Sequence, residues 1–336
     1  LAYNGAGLFA RLYNFVSDRN AAIKIRADRM DAEMDGIATG LSTCITKDGQ
    51  TTITQDIPFN NKKITGLADA TGDADAVNRQ TALALGVASN APGFIFGLTL
   101  SNNGSDATND IDISAGSCAS NDASPTNLTL ATALTKRLDA AWSVGTNQGG
   151  LDTGSIANTT YHVWLIRRSD TGVVDALFST SATSPTMPAS YTQKRRIGSI
   201  IRASGAILLF TQAGDDFSLI IPPTDLNASQ GTTSTLRALT VPTGVRVFAR
   251  VAQGIISTAL SKSLLVSDPD LGTIIVTSTN ATLGINVQSG AGSNVGANGM
   301  VTVRTNTSAQ VRTVCDATHT VSLTTYGWAD DRGRSA

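Results

Sequence analysis

His162 and His319 are the only histidines in the chain, so acid–base chemistry near neutral pH must run through them or through carboxylates. His162 interrupts the apolar run Tyr161-His162-Val163-Trp164-Leu165-Ile166, and His319 stands beside a turn. Neither has a nucleophile at a motif spacing, and no nucleophile-elbow pattern is present. His162 therefore reads as a core or sheet-edge residue, while a Ser, His and Asp assembled only by the fold stays open. The carboxylates that glycoside hydrolysis would need are Asp215-Asp216, Asp330-Asp331 and the cluster Asp106, Asp110, Asp112. Adjacent residues on a strand point to opposite faces, the wrong geometry for two groups flanking one bond. Turn and solvated-loop roles suit them better. The cluster offers oxygens that would suit calcium but lacks the glycine and closing Glu of an EF-hand loop. No metal, other cofactor or catalytic residue is assigned.

Cys44, Cys118 and Cys315 lie far apart, an odd number without CxxC spacing, which supports neither a disulfide framework nor a zinc site. The run Lys194-Arg195-Arg196 and the pair Arg246, Arg250 would suit an acidic polymer, yet short basic runs are usually solvated faces or partners between subunits. Three tryptophans could stack on sugar rings. Trp164 belongs to the continuous apolar strand and reads as core. Trp142, before the Gly-rich turn at 145–150, and Trp328, near the C-terminus, are the candidates for surface contact.

Positioning these residues requires sheets. The chain has 336 residues, 41% of them hydrophobic and 15% charged, and its 26 acidic and 25 basic side chains nearly cancel. That balance gives no electrostatic case for nucleic acid or a membrane surface. No apolar run reaches the ~18 residues of a membrane-spanning helix, and no signal-peptide pattern opens the sequence, which points to synthesis in a cytoplasm. A composition rich in Gly, Thr, Ser and Asn predicts short strands joined by many turns, a mainly β fold. Residues 161–166 turn through Ser169-Asp170-Thr171-Gly172 into Val173–Phe178, a predicted hairpin. Another runs from Arg196 through Ala203-Ser204-Gly205 to Phe210, followed by a strand at Phe217–Ile221 that Pro222-Pro223 ends. Beyond Asn227, Val245, Val247, Ala249 and Val251 alternate with Arg246, Phe248 and Arg250 as in a half-buried strand. Strands are also predicted at 264–266, 273–277, 283–287, 300–304, 311–315 and 320–326; the Gly-rich run 289–299 is either a long hairpin loop, which its composition favours, or a place where backbones approach closely. Two β-sandwich-like domains, 93–226 and 227–336, follow from these patterns.

The first 92 residues differ. A helix is predicted from Ser17 or Asp18 as N-cap. Its apolar positions Ile23, Ala27, Met30, Met34, Ile37 and Leu41 are spaced four and three in alternation, a seam of a/d type. The pattern fits either an amphipathic helix packed on its own domain or one assembled with copies of itself or docked on another protein. Gly36 and Gly40 each weaken it by up to about 1 kcal/mol. Residues 46–92 then offer two extended pieces, 51–57 and 63–67, around an Asn60-Asn61 turn, and a short helix from Asn78 to Ala88. Ile53, Ile57, Phe59, Ile64 and Leu67 are the apolar side chains available to this stretch, at roughly 1.5 to 3 kcal/mol each. They cannot offset an ordering cost of about 1 to 2 kcal/mol per residue, so the stretch needs other chains or flanking domains to hold it, as a stalk does.

The wording of these regions resembles the tail-fibre proteins of tailed bacteriophages. The similarity is carried by YNGAGLFARLYNFVSDRNAAIKIRADRMDAEMDGIATGLS, DGQT and IPFNNKKITGLADATGDADAVN, by most of 109–202, and by the ending TTYGWADDRGR. It is weakest beyond Asn227. The resemblance implies an elongated homotrimer with an N-terminal virion-attachment region at 1–45 and a stalk at 46–92. Its partners would be phage tail or neck proteins and host-surface polysaccharide or an outer-membrane component. Two alternatives stand beside a receptor-binding fibre: a collar or neck fibre or decoration protein without a receptor role, and a polysaccharide hydrolase. The enzyme reading lacks a regular solenoid repeat of the kind long β-helical depolymerases resemble.

Overall fold

A computed structural model describes residues 10–42, 44, 45, 50, 52–54, 56, 57, 59–72, 74–78, 81, 82, 92–259, 261–272, 274–276, 285–288 and 295–334. The chain divides into two units, Leu1–Ala68 and Asp69–Ala336.

In the first unit, α1 (Phe15–Asn20) and α2 (Ala27–Leu41) replace the single helix predicted from Ser17. Asn14 is the N-cap, its Oδ1 accepting from the amides of Val16 and Ser17. Ser17 and Asp18 lie inside α1. The break follows from a left-handed residue, Ala22 at φ 58°. The Ala22 amide donates to the Arg19 carbonyl and the Ile23 amide to that of Asp18, a Schellman closure. Ile23 thus leaves the helical seam. One face of α2 holds the segment before α1: Glu33 accepts from the amides of Leu12 and Tyr13 at 2.9 and 3.1 Å. Arg29 bonds Asp18 at 2.7 Å and lies over the Tyr13 ring. Leu12 packs beside Gly36, where an added Cβ would stand at ordinary van der Waals distance, 3.4 Å from Leu12 Cδ1. Met30, Met34, Ile37 and Leu41 lie exposed along α2, with Met34 at 58%; Ala27 is exposed as well.

Ile53, Ile57, Phe59, Ile64 and Leu67 are all exposed, and the described residues between 50 and 68 form no strand. The two extended pieces predicted there have the composition of strands but pair with no strand among the described residues. Asn60 and Asn61 do turn, both at positive φ, with the Lys62 amide donating to Phe59. In the second unit, Asn78 Oδ1 accepts from the Thr81 amide as a cap would, while most of the predicted helix 78–88 lies outside the described residues.

The rest of the second unit is mainly β, as the composition implies. Its strands begin with β1 (Ile95–Gly97), β2 (Leu100–Asn102), β3 (Asp110–Ile113), β4 (Gly116–Ala119), β5 (Asn127–Leu130), β6 (Leu134–Ala141) and β7 (Gln148–Leu151). They continue with β8 (Thr160–Arg168), β9 (Val174–Ser179), β10 (Tyr191–Ala203), β11 (Ala206–Ile207), β12 (Phe210–Ala213), β13 (Asp216–Leu219) and β14 (Thr224–Gln230). The last are β15 (Thr235–Ala238), β16 (Phe248–Ser257), β17 (Ser261–Ser267), β18 (Ile285–Gln288), β19 (Val295–Arg304), β20 (Gln310–Cys315) and β21 (His319–Ala329). The largest sheet runs β11-β10-β8-β9-β7-β6-β3-β2; a second runs β12-β13-β21-β16-β19, with β14 also on β21. Smaller sheets are β1-β4-β5 and β15-β20-β17-β18.

The β8–β9 hairpin forms as predicted, with Val163 opposite Phe178. Several strand predictions differ: the strand expected from Val245 begins at Phe248, and the one expected to reach Ile221 ends at Leu219. Residues 274–276 are not in a strand, and 295–299, where composition favours a loop, extend β19 along β16; 289–294 lie outside the described residues. The division at 226/227 falls inside β14. Strands β12 and β13 precede that point yet join the sheet of β16 and β21, and one apolar core spans it. Leu100, Ile113, Phe178 and Ile197 share this core with Phe217, Ala249, Val251, Leu323 and Trp328.

Candidate functional site

Strand β10 carries Arg195 and Arg196, and alternation sends them to opposite faces of its sheet. Neither is the solvated cation that the run Lys194-Arg195-Arg196 suggests, since both are buried. Arg196 donates to Asp330 through both terminal nitrogens, at 2.6 and 2.7 Å, a two-pronged pair inside the protein. Burial alone would raise the Asp330 carboxyl; the Arg196 hydrogen bonds and charge override it and hold the group below its ordinary value. Asp330 therefore corrects the solvated-loop reading. It also accepts from the Arg332 amide at 2.9 Å. Arg332 reaches Asp215 at 3.2 Å, and Arg195 donates to the Arg332 carbonyl and to Asn121, both at 3.2 Å. The segment after β21 is thus fastened to β10 by charge-assisted bonds.

His162, on β8, joins the same cluster. Its Nδ1 lies 2.9 Å from Ser199 Oγ, which also accepts from Arg196 at 3.2 Å. Burial, then the Arg196 charge, lowers the His162 pKa from 6.5 to about 4. The fold has brought a Ser, a His and an Asp together, but not in a relay. Arg196, not His162, holds Asp330, and Ser199, His162 and Asp330 are all buried. As placed, these groups build an interior.

The other chemistry-bearing residues are tied up similarly. Asp106 Oδ1 accepts from the amides of Thr108 and Asn109. Asp112 Oδ1 accepts from Asn103 and Thr135, so the carboxylates near residue 106 brace turns and strands. Burial, then the Asp106 charge, raises the Asp110 carboxyl. Among the described residues no group of three or more His, Cys, Asp or Glu could hold a metal ion. Asp216 pairs with Arg250 at 3.4 Å. His319 contacts Asp316 at 2.9 Å. Cys118 and Cys315 are buried, and burial pushes both thiols up to about 12.

Neither tryptophan proposed for surface contact serves as an open platform. Trp328 is 1% exposed and stacks on Phe217, centroids 5.4 Å apart and planes 6° from parallel. Trp142 is half-buried: its Nε1 donates to the Ala176 carbonyl at 3.0 Å, and its ring meets Tyr191 edge-on. It also covers Lys136, a buried cation paired with Asp175 at 3.2 Å. An exposed aromatic that sequence reasoning passed over is Phe248, at 52%. The alternation of β16 was visible, with Phe248 on the outward face, but nothing local marked the cleft beside it. That cleft is about 430 Å³ in volume, and Arg246, Phe248, Arg304, Thr183, Thr307 and Asp331 are among its lining residues.

No protein-family model matches the chain, and no curated protein sequence does. Among the described residues no helix is long and apolar enough to cross a membrane.

Proposed function

We propose that the chain is a structural, non-enzymatic component of a bacteriophage virion: a homotrimeric tail fibre whose N-terminal region attaches to the tail or neck. Its β body would contribute to contact with the host surface. The observation that carries this reading is the state of α2. One face is satisfied by the segment around Leu12 and Tyr13, while Met30, Met34, Ile37 and Leu41 form an exposed apolar stripe at four- and three-residue spacing. An isolated helix of this length is marginal in water, and three such stripes packed together would remove that cost. The exposed side chains Ile53, Ile57, Phe59, Ile64 and Leu67 call for the same remedy. The immobilised His162, Ser199 and Asp330 favour an inert body over a hydrolase.

Light scattering on the purified full chain tests the assembly. A mass three times that of one chain is expected, and Met34→Asp should lower it; a monomer at micromolar concentration would count against the trimer. Gold labelling of intact virions by electron microscopy tests the location. Label at the tail tip region fits the receptor-contacting fibre, and label confined to the collar fits the neck-fibre reading.

A further inference from the structure

The groove beside Phe248 is shaped and charged for a neutral ligand carrying many hydroxyl groups. Its cations are already matched. Arg304 bonds Asp268 at 2.8 Å and approaches Asp270 at 3.4 Å. Arg246 bonds Asp270 as well, and Arg196 is held by Asp330 and Asp331. Three arginines thus face four aspartates, leaving no surplus positive charge to attract an anionic polymer. Of these groups Arg196, Arg246, Arg304 and Asp331 line the groove, so N–H donors held in place by their aspartates stand beside a carboxylate acceptor, the complement of a hydroxyl that both donates and accepts. Thr183 and Thr307 add exposed hydroxyls. Phe248 supplies the apolar part, a flat face for the C–H side of a sugar ring. Gly244, at φ 82°, lets its loop close over His162 at the groove wall, since a Cβ there would lie 3.1 Å from His162 Nε2. The volume of about 430 Å³ suits a short oligosaccharide segment and falls in the usual range of ligand clefts.

We propose that this groove is a binding site for a neutral saccharide, with Phe248 as stacking platform and with Arg246 and Arg304, held by Asp270 and Asp268, and Asp331 as polar arms. The proposal rests on the reading of the β body as a host-contacting surface, and it moves that contact from Trp142 and Trp328 to Phe248. The test is titration of the labelled full chain on an array of purified bacterial polysaccharides, neutral and acidic. The variants are Phe248→Ala, Thr307→Trp, which fills the groove from an exposed turn, and Phe96→Ala, an exposed aromatic elsewhere. Thermal melts confirm that each variant remains folded. Binding to a neutral polysaccharide that weakens about tenfold or more in Phe248→Ala and in Thr307→Trp, but not in Phe96→Ala, is the expected result. Binding confined to acidic polymers, or unaffected by both groove variants, overturns the proposal. So does failure to bind any polysaccharide, and virion labelling at the tail tip region would then still stand by itself, separating loss of the ligand class from loss of the fibre reading.

Discussion

Asp330 and Arg196 show how much of this chain's charge is spent indoors. Both are buried, and each is the other's main counter-charge. Removing one leaves an ion without its partner in a low-dielectric interior, which typically costs about 3 to 5 kcal/mol. Asp330→Ala should therefore lower the unfolding free energy by that order, read from urea titration. The double variant Arg196→Met with Asp330→Leu should lose clearly less than Asp330→Ala, because no unpaired ion remains. Equal losses would mean that the pair is incidental. His162 sets a pH dependence on the same cluster. Folded, it stays neutral down to about 4, against an ordinary 6.5. Between those values the unfolded chain holds a proton that the folded chain does not, so stability falls as pH drops from about 6.5 to 4, by roughly 3 kcal/mol in all. The lowered Asp330 carboxyl adds a further loss below about 4, where the unfolded chain takes up its proton first. Unfolding titrations at several pH values should show the upper slope flattened in His162→Asn. An unchanged slope would place the acid sensitivity on other groups.

At the level of elements, β21 is the strand on which most depends. It pairs with β13, β14 and β16, and a register shift between Arg250 and Val251 of β16 falls opposite Thr325 to Gly327. Gly327 has φ 150°, and a Cβ there would stand 2.0 Å from the Phe217 carbonyl oxygen. That oxygen belongs to backbone and cannot swing aside. Gly327→Ala should thus destabilise the fold by about 1 to 3 kcal/mol or more, seen as a lowered melting temperature; a wild-type melt would show that the bulge relaxes freely. The β8–β9 hairpin was legible in sequence because two continuous apolar runs flank a local Asp-Thr-Gly turn. The alternation through Ala249 and Val251 likewise gave the buried face at the start of β16, with Val247 buried just before it. What pattern could not give was pairing between distant strands: nothing near Phe217 announces Trp328, and nothing in Lys194-Arg195-Arg196 announces Asp330. Local signals also miss backbone closures, as Ala22 shows, where an alanine in the left-handed region ends α1 and removes Ile23 from the seam. The groove beside Phe248 escaped for the same reason as the ion pairs, because β16, β19 and the loops around Thr183 and Thr307 meet only in the folded chain.

Across the second unit as a whole, the consequence of those long-range pairings is cooperativity. A chain of two separable sandwiches would melt in two steps, and its first sandwich would survive removal of everything after 226. Here β13, with β12 on its other edge, hydrogen-bonds to β21, Phe217 stacks on Trp328, and the apolar core runs across the middle of β14 without interruption. Cutting at 226 would expose Phe217 and the edge of β13, split β14 and strip Asp330 from Arg196 at once. Each of these losses alone is on the order of a few kcal/mol, against a typical domain stability of about 5 to 15 kcal/mol. Calorimetry on the full chain should accordingly show one cooperative transition for the β body, and the 1–226 fragment should be unfolded or aggregated by circular dichroism. Two resolved β transitions, or a 1–226 fragment with a sharp melt of its own, would mean that the shared core is only an interface between independent domains. The single-transition outcome also bears on host contact, because a ligand bound beside Phe248 would then stabilise the whole body and raise its melting temperature as one unit.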